Sequence, residues 1–236
     1  MWQKTFTKHY ESAGFSAANI AAVVRTIEAN STPTEIRTPG LDVVVPVAGI
    51  GQFCNGLPGV ASDTEMRDAK HGWLFAFGYW LRIGQRDVAE HRLPGLKNRL
   101  IAEAAQRVVA KYPQLRLAAQ PETADALTEQ PKSMVVSSVR DQGTIKVIQE
   151  FIDALGWKSK GNGETVVIFG HRHHCPRISM LLAAKGIRAL LPPEELPVTY
   201  DDLWEKQPRV KTEEAFLWSD TVSTLAFIRD QLKEAK

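Results

Sequence analysis

The sequence predicts an α/β protein with a doubly wound, mostly parallel sheet, helices on both faces and helical additions at both termini. Two short apolar runs rich in β-branched residues, DVVVPVAG at 42–49 and ETVVIF at 164–169, read as strands buried on both faces. Segments with helical spacing separate the strand candidates, and that alternation argues for parallel strands joined by crossover helices. At 236 residues the chain can bury the core that such a fold needs.

Taken in order, residues 16–29 form the first expected helix, with Ser16 as N-cap and Ile20, Val23, Val24 and Ile27 on one face. The polar segment 31–40 carries two prolines and reads as a connector. The strand at 42–49 follows and breaks into a glycine-containing loop, GIGQFCNGLPG. Ser62 and Glu65 have capping-box spacing, opening a helix whose apolar positions include Met66, Ala69, Trp73, Phe77 and Trp80, with Gly84 as its stop. Residues 86–96 read as a loop, and a helix over 97–112 ends before Pro113.

Strand candidates LRLAA (115–119) and SMVVSS (133–138) come next, then a helix bearing Ile145, Ile148, Phe151, Ile152 and Leu155 with Gly156 at C′. The strand at 164–169 runs into the helix PRISMLLAAKG, ended by Gly186, and IRALLP (187–192) is the last strand. A terminal helix spans about 212–233. This divides the chain into an N-terminal helical extension (1–40), an α/β core (41–192) and a C-terminal helical segment packed on it (193–236).

Composition narrows the classes of function. A net charge of +2 carries no signature of nucleic-acid binding. No run approaches the roughly 18 apolar residues that cross a bilayer. The first residues lack the apolar stretch of a signal peptide. Two cysteines, Cys54 and Cys175, are too few for a disulfide framework. The expectation is a cytoplasmic protein whose partner is a small-molecule ligand, not a membrane or nucleic acid, and which is compatible with a homo-oligomer.

Two loops are candidates for chemistry, since ligands in open α/β sheets bind at the carboxyl ends of strands. In the first, Gly49 and Gly51 would let backbone N–H groups approach a ligand, and Gln52, Cys54 and Asn55 add polar side chains. The second is VVIFGHRHHCPR at 166–177, with three of the six histidines. His171 and His173 would share a face if the chain stays extended, and with Cys175 they make a candidate site for zinc or a similar transition metal. Cys175 would also lie at a helix N-terminus, which favours a thiolate. His174 is a candidate general acid–base, because imidazole titrates near neutrality. Cys54 and Cys175 are candidate nucleophiles or metal ligands. Arg177 can pair with an anion.

The succession in VVIFGHRHHCPRISMLLAAKGIRAL resembles the C-terminal signature of the YdcF/SanA/ElyC family, in which an apolar strand leads into tyrosine–histidine–methionine–proline–arginine. The family's histidine falls on His174, its proline on Pro176 and its arginine on Arg177, with His173 in place of the tyrosine and Cys175 of the methionine. Thr144 stands for the threonine of its Ser-x-Asn-Thr stretch, with Gly143 in place of the asparagine. Asp42, Val43, Val44, Val45, Gly49 and Gly51 match its first element. A weaker, partial likeness joins Gly170-His171-Arg172-His173 to the GHxH element of the metallophosphoesterases, whose other motifs this chain lacks.

The YdcF-like resemblance implies a doubly wound fold with a crevice made by the first loop, Thr144 and the His174/Arg177 turn. Its members are associated with envelope physiology and are often membrane-anchored. The expected function is that of a small-molecule enzyme, a transferase or hydrolase, acting on a phosphorylated or nucleotide-derived ligand. A metal-dependent hydrolase or oxidoreductase using His171, His173 and Cys175 is one alternative, and a non-catalytic binding or scaffold protein is the other.

Overall fold

A computed structural model of the chain describes residues 2–40, 43–68, 73–78, 95–129, 131, 134–137, 143–157, 163–200 and 212–234. The chain divides into two compact units, Met1–Leu57 with Gln207–Lys236, and Pro58–Lys206.

The first unit holds α1 (Trp2–Ala13), α2 (Ala17–Glu28), β1 (Glu35–Arg37), β2 (Val44–Pro46), α3 (Val47–Phe53) and the C-terminal helix Glu213–Glu234. Helix α1 is absent from the sequence reading, yet Trp2, Phe6, His9, Tyr10 and Ala13 recur at helical spacing and are its buried residues. Helix α2 forms as expected: the Ser16 hydroxyl accepts from the Asn19 N–H at 3.3 Å, and Ile20, Val23 and Ile27 are buried.

The run at 42–49 departs from its expectation, and Asp42 lies outside the described residues. Only Val44–Pro46 is a strand, and it pairs antiparallel with β1, with Val45 opposite Ile36, in a separate two-stranded sheet. Pro46 has no N–H to extend a ladder and serves instead as N-cap of α3. The glycines after it therefore sit in and behind a helix. A Cβ on Gly49 would lie 2.5 Å from Leu232 Cδ1, so this glycine admits the C-terminal helix at close range. In the loop after α3, His9 Nδ1 accepts from the Gly56 N–H at 2.9 Å. Gly56 takes a positive φ of 79°, and a Cβ there would also meet the Ser12 hydroxyl at 2.7 Å.

The second unit carries α4 (Asp63–Asp68), β3 (Trp73–Ala76), α5 (Leu96–Lys111), β4 (Arg116–Ala119), α6 (Pro121–Ala124) and β5 (Val135–Val136). It continues through α7 (Thr144–Ala154), β6 (Thr165–Phe169), a 3-10 turn (Arg172–His174), α8 (Cys175–Ala184) and β7 (Arg188–Leu190), so that the C-terminal helix is α9. Five parallel strands run in the order β5-β4-β3-β6-β7. An isolated parallel bridge joins Val60 to Leu191, the residue after β7. The fold is the expected doubly wound α/β arrangement, and from β3 the chain moves first to one side and then, at β6, to the other.

The capping box forms as read: Glu65 N–H donates to the Ser62 hydroxyl, and Ser62 N–H to the Glu65 carboxylate. The helix it opens, however, stops at Asp68, and Trp73–Ala76 is the central strand. All four of its residues are buried, and a run that is apolar on every side fits a buried strand as well as a helix face. Trp80, Gly84 and most of the 86–96 loop lie outside the described residues. From α5 onward the expected elements appear in order, with Gly156 and Gly186 at positive φ after their helices. Among the described residues no helix is long and apolar enough to cross a membrane.

Candidate functional site

Strands β3 and β6 are neighbours on which the chain leaves in opposite directions, and their carboxyl ends open where such sheets place ligands. Polar or glycine residues follow the strands there: Gly78 two residues after β3, Gln120 after β4, Ser137 after β5 and Gly170 after β6. After β3, Gly78 N–H donates to the Gln120 side chain at 2.8 Å, and Gln120 N–H donates to the Ala76 carbonyl at 2.9 Å. After β4, Glu122 is buried, and a Cβ on Gly78 would lie 3.0 Å from Glu122 Cβ and 3.3 Å from its Oε2. Gly78 therefore leaves room for a carboxylate beside the central strand. After β5, the Ser137 hydroxyl donates to Glu150 Oε2 at 2.6 Å. Lys97 and Asn98, on the first turn of α5, are also buried.

After β6 the chain passes Gly170 and turns. His171 is extended, residues 172–174 form the 3-10 turn, and Cys175 begins α8. His171 and His173 do come together, with ring centroids 5.2 Å apart and edge to face, but through the turn and not along an extended chain. A carbonyl only accepts, so His171 Nε2–H donates to Thr199 O at 3.2 Å. Burial, reinforced by the neighbouring His173 and Lys97, lowers the His171 pKa to about 3, and the ring is neutral. His173 Nδ1 meets the Tyr200 hydroxyl at 2.6 Å.

His174 faces the other way. Its Nδ1 lies 3.2 Å from an Arg177 Nη and its Nε2 lies 3.0 Å from the Thr144 hydroxyl. A guanidinium only donates, so Nδ1 accepts and the ring proton sits on Nε2, pointed at Thr144. The resulting chain, Arg177 to His174 to Thr144, joins the first turn of α8 to the start of α7. These three residues are part of the crevice that the resemblance implies; its other part, the first loop, lies on α3 and the segment after it in the first unit.

The cysteines behave differently from expectation. Cys175 is at the start of α8 but fully buried, with its thiol donating to the His171 carbonyl at 3.5 Å. Burial pushes its pKa up to about 12, outweighing the nearby Arg172 charge, and the thiolate is disfavoured despite its place at a helix start. Cys54 is buried in the first unit, where burial and the Asp220 carboxylate push it up to about 12 as well. Gly49, Gly51, Gln52 and Asn55 belong to that same unit, on α3 and the loop after it, following a strand that is not part of the parallel sheet. Among the described residues, no three His, Cys, Asp or Glu side chains are arranged to hold a metal ion.

No protein-family model matches this chain, and neither a curated protein nor a solved structure is significantly similar to it.

Sequence reasoning passed over Lys97, Asn98, Gln120, Glu122 and Tyr200. Gln120 and Glu122 had a signal, because they directly follow the apolar end of LRLAA, where a parallel sheet presents its ligand-facing residues. Lys97 and Asn98 become visible once 73–76 is recognised as a strand, since the next helix then begins at the same sheet edge. Tyr200 stands 27 residues from its partner His173, and no local pattern connects them.

Proposed function

We propose that the crevice at the carboxyl ends of β3 and β6 binds a phosphorylated or nucleotide-derived small molecule, and that the protein is a YdcF-like enzyme of the transferase or hydrolase class. The observation that carries this reading is the Arg177–His174–Thr144 chain at the strand reversal. A guanidinium has five N–H donors in a planar fork, and one direction reaches His174. Arginine is also the side chain whose planar fork matches a phosphate in geometry.

His174, with its proton on Nε2, is the candidate general acid. Lys97 on the first turn of α5 adds positive charge at the same edge. Glu122, kept close to the central strand by the absence of a side chain at Gly78, is the candidate base. The YdcF-like resemblance supports the same position, because its histidine, arginine and threonine fall on His174, Arg177 and Thr144. Its proposed first element contributes nothing to this reading, since 44–46 pairs outside the parallel sheet.

Titration calorimetry with adenosine monophosphate, and separately with inorganic phosphate, tests this reading. Wild-type protein is expected to bind, and Arg177→Ala to lose about 10-fold or more, the effect of one charge-assisted hydrogen bond of about 1.5–3 kcal/mol. Equal binding by wild type and Arg177→Ala would contradict it.

A further inference from the structure

Residues 197–200 are fastened across the histidine turn. The Pro197 carbonyl accepts from the Arg172 N–H at 2.9 Å, and the Thr199 carbonyl accepts from His171 at 3.2 Å. These bonds place the Tyr200 ring 5.0 Å from the His171 ring and its hydroxyl 2.6 Å from His173 Nδ1. Lys97 Nζ stands 5.5 Å from the centre of the same phenol ring. No sequence motif assigns Tyr200 a role, yet it touches both histidines of the turn that the Arg177 chain leaves unused.

The direction of the short bond decides what His173 can do. A phenol O–H is a stronger acid than a neutral imidazole N–H and therefore the better donor, and a cation against the phenol ring strengthens it further. With Tyr200 donating, Nδ1 accepts and the ring proton sits on Nε2. A metal-binding histidine instead keeps the lone pair of one ring nitrogen for the ion while the other ring N–H donates to a neighbouring acceptor. Here the Nδ1 lone pair receives the Tyr200 hydroxyl.

We propose that Tyr200 is a positioning residue of the crevice: it fixes His173 as the Nε2–H tautomer, a hydrogen-bond donor to an anionic ligand and not a metal ligand. This rests on the reading of the crevice as an anion site. Residues 197–200 thereby belong to the site as its positioning strap, and the two histidine pairs divide the work. His174 is aligned through Arg177 and Thr144, and His173 through Tyr200 and Lys97.

Long-range proton–nitrogen correlation spectra of the full chain, with His173 assigned through His173→Gln, report the tautomer without any ligand. The expected result is a single Nε2–H form in wild type and a mixed or altered form in Tyr200→Phe, which keeps the ring and removes only the hydroxyl. Adenosine monophosphate should bind Tyr200→Phe about 3- to 10-fold more weakly, the effect of one hydrogen bond. Zinc alone should not bind wild type stoichiometrically. A proton on Nδ1 of His173, or a tautomer and nucleotide affinity both unchanged in Tyr200→Phe, would overturn the proposal. Wild type that does not bind the nucleotide contradicts the crevice reading, whereas the ligand-free spectra judge the Tyr200 assignment independently.

Discussion

Arg177 donates to Nδ1 of His174 across 3.2 Å, and that bond directs the imidazole proton toward Thr144. Neither residue could set this orientation alone. The arginine lies one helical turn beyond the histidine, where α8 begins, so the local fold and the protonation pattern have one origin.

Replacing Thr144 with valine keeps the shape of the side chain but leaves the His174 Nε2–H without this acceptor. The expected loss is about 1–3 kcal/mol, the penalty of an unsatisfied donor in a buried site. A lower urea midpoint for the α/β unit, followed by the fluorescence of its tryptophans, checks it. Serine at this position should restore most of the loss.

His171 makes the protein sensitive to acid. Its folded pKa, about 3, lies below the ordinary value of 6.5, so between these values the unfolded chain binds the extra proton. Stability from this group is complete above about pH 6.5 and falls as the pH drops toward 3, by at most about 1.4 kcal/mol per pH unit. His9, lowered to about 4 by burial, acts in the same direction in the first unit. His171→Gln, whose amide can still donate to Thr199, should flatten the acid limb of a thermal-melt profile.

Both thiols should resist reagents in the native protein. Cys54 and Cys175 are buried and pushed up to about 12, so little thiolate exists at pH 8. A colorimetric disulfide reagent should label neither cysteine rapidly in native protein and both in denaturant. Fast native labelling of Cys175 would restore it as a nucleophile.

Gly78→Ala tests whether Glu122 needs the space beside β3. The added Cβ would stand 3.0 Å from Glu122 Cβ, tighter than ordinary contact, so the short α6 segment must shift. Overpacking of this kind costs about 1–3 kcal/mol. A crystal structure of the variant should show the Glu122 carboxylate displaced, with turnover reduced once a substrate is known.

Much of the second unit was legible because its helices and strands announce themselves by period, and its turn after β6 by residue type. The failures have physical causes. Residues 73–76 read as helix because Met66, Trp73 and Phe77 fall at helical spacing behind a capping box, and the strands that pair with 73–76 are distant in sequence. Residues 44–46 were given to the parallel sheet because a β-branched triplet says nothing about its partner, and the partner proved to be Glu35–Arg37. Helix α1 carries its period openly in Trp2, Phe6, Tyr10 and Ala13, which form its buried face. In the site, His174, Arg177 and Thr144 were accessible through their order along the chain. The Lys97 and Tyr200 contacts depend on folding that brings 97, 171–173 and 200 to one sheet edge, and no spacing encodes it.

The most direct test of the account is amide chemical-shift mapping of isotope-labelled protein titrated with adenosine monophosphate. The account predicts that the largest shifts fall on Gly78, Thr144, Gly170 and residues 171–177, at the ends of β3 and β6 and the start of α7. Shifts confined to α1, α3 and α9, or no shifts at millimolar nucleotide, would contradict it.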